Sequence, residues 1–268
     1  MLKKFALGFA AVALAVATVP MFAAFEAHVI NVTARIENAL TVDTTALNFG
    51  TVFPQEHLAK PMTVALSQSF QDEGRVDDVQ YFIRQKPKCG VTTENGTILL
   101  GPTATGHIEP NLQTTDPNDY IINCGTDPRK QDDAGNFLPT GSSWGVLPSL
   151  CEYISKDGSD EDGQVTQNDQ SLPSFHTPWT FANNSVTWTD TRGNLTKDGG
   201  DTIDKWIIDL AVPCFGGYCA QDWADFVHGL NREADPNAYT QPIANEHKVF
   251  GCDLWVEVDG VSLTADLE

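Results

Sequence analysis

The chain predicts an all-β protein, a jelly-roll-type antiparallel β-sandwich with long loops and one or two short helices. Three observations carry this. Apolar and polar side chains alternate through several runs of five to ten residues, Gly, Pro, Asp or Asn bounds each run, and helical spacing is scarce. About 244 residues remain after a leader is removed, and with 41% hydrophobic residues they suffice for one sizeable core.

The leader comes first. Lys3 and Lys4 precede an uncharged, Ala-rich run over residues 5–19, Pro20 breaks it, and Ala23 and Ala24 follow. That layout predicts a secretory signal peptide over residues 1–24 and a mature start at Phe25. The competing reading is an uncleaved anchor, since residues 5–25 carry no charge and about 20 apolar residues span a bilayer. The proline and the small residues favour cleavage. Either way the chain is placed outside the cell or on its surface.

Residues 28–37 open the mature chain as a strand, with Ile30, Val32, Ala34 and Ile36 on one face and Asn31, Thr33, Arg35 and Glu37 on the other. Residues 47–53 read as a second strand, in which Gly50 marks a bulge or a close approach. Alternation returns at Met62, Val64 and Leu66, then at Val79, Tyr81 and Ile83. Near the C-terminus it places Trp206, Ile208, Leu210 and Val212 on one face, and Phe250, Cys252, Leu254 and Val256 on another. Short helices are expected at residues 147–155 and 221–230. In the second, Trp223, Phe226, Val227 and Leu230 form an apolar stripe that packs on a sheet. Residues 90–200, rich in Asp, Asn, Gly, Pro, Ser and Thr, read as a loop-rich insertion in a single domain spanning residues 25–268.

Charge limits the partners. The full chain carries 16 basic and 36 acidic residues, a net charge of −20. Residues 1–24 hold two of the lysines and no acid, so the mature chain keeps 14 against 36, or −22. Such a surface repels nucleic acid and anionic lipid. Cys89, Cys124, Cys151, Cys214, Cys219 and Cys252 form an even set, which in an exported chain reads as up to three disulfides in any of 15 pairings.

Catalytic patterns are weak. Gly141–Ser142–Ser143–Trp144–Gly145 matches G-x-S-x-G, but no strand–turn–helix context surrounds Ser143, and the match is read as chance. The six histidines include no H-E-x-x-H pair, and Cys214 and Cys219 suit a disulfide better than zinc. No residue takes a catalytic role, and the chain is expected not to be an enzyme or to need a small-molecule cofactor. Calcium is the one ion with a candidate loop, at Asp157, Asp160, Glu161 and Asp162, although EF-hand spacing is absent and such loops are usually only solvated. Trp144, Trp179 and Trp188 sit in loop-like segments, which supports an alternative reading as a monomeric surface adhesin binding glycans through the acidic middle loops.

The run HVINVTARIENALTVDTTALNFGTVFPQE, residues 28–56, follows the leader directly. In this layout the chain resembles exported prokaryotic β-sandwich proteins of the TasA/camelysin kind, which include biofilm-matrix fibre subunits and archaeal bundling pilins. The resemblance covers about the first 70 residues. It implies donor-strand assembly, with residues 25–37 completing the sheet of a neighbouring copy, so the partner is a second molecule of the same chain. Ile30, Val32 and Ile36 would each contribute at most about 1.5–3 kcal/mol on burial. A head-to-tail contact of this kind does not close and grows into a filament. The metallopeptidase label of camelysins is not carried over, because no ligand cluster accompanies it.

Overall fold

The structure is a computed structural model that describes residues 35–44, 46–92, 98–99, 105–124, 145–158 and 170–263. The chain divides into two units, Met1–Ile36 and Glu37–Glu268. Of the first, Arg35 and Ile36 are described, and neither is in a strand.

The second unit is built from strands. In chain order they are β1 (Leu40–Val42), β2 (His57–Leu66), β3 (Val76–Lys86), β4 (Cys89–Thr92), β5 (Ile98–Leu99), β6 (His107–Pro110) and β7 (Tyr120–Asn123). There follow β8 (Gly145–Val146), β9 (Asp157–Gly158), β10 (Trp179–Ala182), β11 (Ser185–Trp188), β12 (Thr191–Thr196), β13 (Ile203–Ala211) and β14 (Asp253–Leu263). Two helices accompany them, α1 (Gln68–Asp72) and α2 (Trp223–Leu230). All the strand ladders are antiparallel.

Two sheets form the sandwich. One has four strands in the order β1-β2-β13-β9, and the other has three in the order β12-β3-β14. Alternation decides which side chains meet between them. Met62, Val64 and Leu66 of β2 and Trp206, Ile208 and Leu210 of β13 face Val79, Tyr81 and Ile83 of β3 and Leu195 of β12, all buried in one cluster. The smaller sheets β5-β4-β8, β6-β7 and β10-β11 are local ladders.

Local chemistry explains where the expected elements differ. The run over residues 62–70 stops at Leu66, where Ser67 caps α1 and its Oγ accepts from the Phe70 N–H at 3.1 Å. Residues 47–53 form no strand. Asn48 Oδ1 accepts from the Gly50 N–H at 2.8 Å, and Gly50 has φ +74°, so the chain turns there instead of extending. A Cβ on Gly50 would meet nothing within 4 Å, which makes the glycine a turn residue and neither a bulge nor a close approach. Leu47, Phe49 and Val52 still pack on the core from this irregular segment. The helix expected over residues 147–155 shrinks to a 3₁₀ turn, Cys151–Tyr153, which is tied into the core by a disulfide. The helix expected over residues 221–230 forms as α2 and buries Trp223 and Val227. Nor are residues 90–200 only loop, because β12 lies in that span and supplies Leu195 to the core.

The six cysteines pair as Cys89–Cys124, Cys151–Cys252 and Cys214–Cys219. These three bonds are compatible with an extracellular location. Among the described residues no helix is long and apolar enough to cross a membrane.

Candidate functional site

Two features of the second unit go beyond packing: an open strand edge and a buried polar cluster. The edge belongs to β14. This 11-residue strand pairs with β3 on one side, from Asp253↔Lys86 to Leu263↔Val76, and with no described strand on the other. Its sheet therefore has three strands against the four it faces. Trp255, Val258 and Val261 are 37%, 47% and 45% exposed along it, while Leu254 and Val256 are only partly buried against the core. Register shifts at Val258/Gly260 and Val261/Leu263 bend the second half, and the first half is regular. The opposite sheet is better protected. There the short β1 covers Val64 to Leu66 of β2, and Pro61 removes one N–H from the rest of that strand.

The buried cluster lies at the C-terminal end of β3, where Gln85 pairs with Leu254 of β14. Gln85 continues the inward row of Val79, Tyr81 and Ile83, and it is fully buried. Its Nε2 donates to the carbonyls of Cys151 at 2.9 Å and Ile154 at 3.2 Å. Its Oε1 meets two groups: Lys156 Nζ donates to it at 3.0 Å, and His176 Nε2 lies 2.7 Å away. Lys156 is fully buried as well, and His176 is 7% exposed. The bridge Lys156↔Leu172 fixes the lysine backbone. The Cys151–Cys252 bond anchors the turn that holds the glutamine amide.

Burial governs the charges. It pushes the Lys156 ammonium down to about 7, with Asp190 opposing. It pushes His176 down to about 4, helped by the charge of Lys156 and opposed by the Pro173 carbonyl, which lies 2.7 Å from Nδ1. A neutral imidazole donates from one nitrogen only, and with the proton on Nε2 it donates to Gln85. Beside the lysine opens a cavity of about 250 Å³ whose lining includes Ser155, Ser174 and Asp209. Glu152, next to Cys151, is raised by burial.

The expected site residues fare differently. Ile30, Val32 and Ala34 lie outside the described residues; Ile36 is 93% exposed and in no strand. Asp160, Glu161, Asp162, Ser143 and Trp144 also lie outside them. Asp157 belongs to β9, and its carboxylate accepts from the Ser171 hydroxyl. Among the described residues no group of three or more His, Cys, Asp or Glu side chains is placed to hold a metal ion. Trp179 and Trp188 face each other across the β10–β11 hairpin, with ring centroids 6.0 Å apart and edge to face. Lys86 Nζ sits 3.4 Å from the Trp255 ring and 5.6 Å from Trp188, and pairs with Glu257 at 2.6 Å. These rings pack on neighbours across the outer face of the sheet.

Sequence reasoning missed Gln85, Lys156 and His176. A signal existed for one of them: extending the period of two past Ile83 puts Gln85 on the buried face, where an amide needs partners. Comparison with known proteins finds no matching family model, no matching curated relative and no matching solved structure.

Proposed function

We propose that the protein is a secreted or cell-surface structural subunit that assembles head to tail. Residues 25–37 of one molecule add to the open edge of β14 in the next. The observation that supports this most is the sandwich of three described strands on four, with a long edge that no described strand pairs and partly covered Leu254 and Val256 beside it. A strand with Ile30, Val32, Ala34 and Ile36 on one face would extend the short sheet and cover that flank, while ladder bonds satisfy the free N–H and C=O groups. The donor and acceptor surfaces differ, so the contact propagates. The resemblance of residues 28–56 to fibre-forming sandwich proteins supports the same reading. In it the protein is a building element without turnover, and its partner is itself.

Negative-stain electron microscopy tests this. The mature protein should form fibres. A form lacking residues 25–37 and the double variant Val258→Lys/Val261→Lys should remain discrete particles. Discrete particles from the intact mature chain under the same conditions, or fibres from the truncated one, would overturn the reading.

A further inference from the structure

We propose that Lys156 and Gln85 become joined by an intramolecular isopeptide bond that the folded chain makes itself. Three parts of the geometry point to it, and none depends on how the protein assembles. The amine and the amide touch, with Nζ 3.0 Å from Oε1. The carbonyl carbon lies one bond of about 1.2 Å from that oxygen, so Nζ is at most about 4.2 Å from the atom it would attack. Both side chains are fully buried, and no described carboxylate forms an ion pair with the lysine. A buried ammonium without a counter-ion is costly, and the neutral amine, the nucleophilic form, is favoured. Finally, the amide is held on every side. Its nitrogen is fixed by two carbonyls, and its oxygen faces His176 Nε2 at 2.7 Å.

The step balances without a cofactor or a redox partner. Neutral Nζ forms a bond to Cδ of Gln85, and the carbonyl π pair moves onto Oε1. There His176, in the tautomer that carries its proton on Nε2, donates to the developing charge, as an oxyanion-hole donor does. A proton passes from Nζ to Nε2 of Gln85. The carbonyls of Cys151 and Ile154, which already accept from that nitrogen, accept from it again as it gains its third hydrogen. The Cδ–Nε2 bond then breaks and one ammonia leaves, with the cavity beside Lys156 as its exit. The product is a secondary amide with one hydrogen on Nζ. Holding the reactants in contact in a dry site replaces the enzyme such a bond would otherwise need. The bond would tie β3 to the segment entering β9, a covalent strut 71 residues apart in sequence.

Mass spectrometry of the purified disulfide-bonded protein, reduced and alkylated in denaturant, decides the matter. The expected result is a mass about 17 Da below that of the fully alkylated chain, the mass of the departing ammonia. Tryptic digestion should give a branched peptide pair joining the segments that hold Gln85 and Lys156, with no cleavage after Lys156. The variants Lys156→Met and Gln85→Met should each show full mass. Full mass in the unaltered protein overturns the proposal, whether or not the variants fold. So does a deficit that maps to a succinimide at an asparagine.

Discussion

The inward face of β3 carries two buried polar side chains four residues apart, Tyr81 and Gln85, and their surroundings differ. Around Tyr81 the partners of the hydroxyl come from regular strands. Its hydroxyl donates to Asp204 of β13 and accepts from Trp206 Nε1 at 2.8 Å, while its ring lies over Gly193, directly opposite on β12. The hydroxyl both donates and accepts there, and the two sheets are bridged through it by side-chain hydrogen bonds. Around Gln85 the partners come from a 3₁₀ turn and two irregular segments: Cys151, Ile154, Lys156 and His176. That second cluster holds an amine that donates to an amide oxygen and an imidazole whose two nitrogens each face a carbonyl oxygen. The first arrangement links strand to strand through one hydroxyl; the second sets an amine and an imidazole against one amide oxygen.

The contrast can be broken most severely at its covalent frame. Replacing Cys151 and Cys252 by serine releases a loop whose ends are 101 residues apart in sequence. It should lower unfolding free energy by about 4–5 kcal/mol in urea titrations. The same change should leave an unlinked fraction at Gln85, because Cys151 supplies one of the amide's anchors. The Tyr81 cluster should be untouched. Tyr81→Phe attacks the other side: it strips the partner from Trp206 Nε1 and one from Asp204, for an expected loss of about 2–3 kcal/mol. Gly193→Ala is a purely steric version of the same test. Its Cβ would fall 2.3 Å from the Tyr81 Cζ and hydroxyl, and a cost of about 1–3 kcal/mol is expected as the ring shifts. Removing Cys214–Cys219, which closes a five-residue separation and bonds to neither cluster's polar groups in any described contact, should cost only about 2 kcal/mol.

The smallest expected effect is a flat line, and it separates a linked from a free lysine. A free Lys156 has a folded pKa near 7, held down by burial against an ordinary 10.5. Between those values the unfolded chain binds more protons than the folded one, so stability would rise with pH across that window, by up to about 5 kcal/mol. Once the amine is an amide it has no proton to exchange, and the rise disappears. Urea titrations at pH 7 and pH 10 of the unaltered protein, compared with Lys156→Met, should therefore show the same small change in both. A rise confined to the unaltered protein would mean that the amine is free.

Much of the sandwich was legible from spacing. Trp206, Ile208 and Leu210, like Val79, Tyr81 and Ile83, fall inward because successive strand residues point to opposite faces, a rule that needs no tertiary knowledge. The helix at Trp223–Leu230 was legible for the same kind of reason. Residues 47–53 misled because apolar residues at strand spacing also serve an irregular segment packed on a core, and the Asn48–Gly50 turn overrides the pattern. The 191–196 strand was hidden because it carries only Leu195 as a large apolar residue, with Gly193 where a partner's ring must pass.

By itself the sequence determined an acidic, cysteine-containing, mainly β chain, since charge, composition and period are properties of the string. Tertiary structure decided which cysteines meet, which strand has no described neighbour on one edge, and that a lysine, a glutamine and a histidine far apart in sequence share one buried site. Those depend on register and sheet order, which are fixed by contacts between segments whose separation in the chain carries no information about their distance in space.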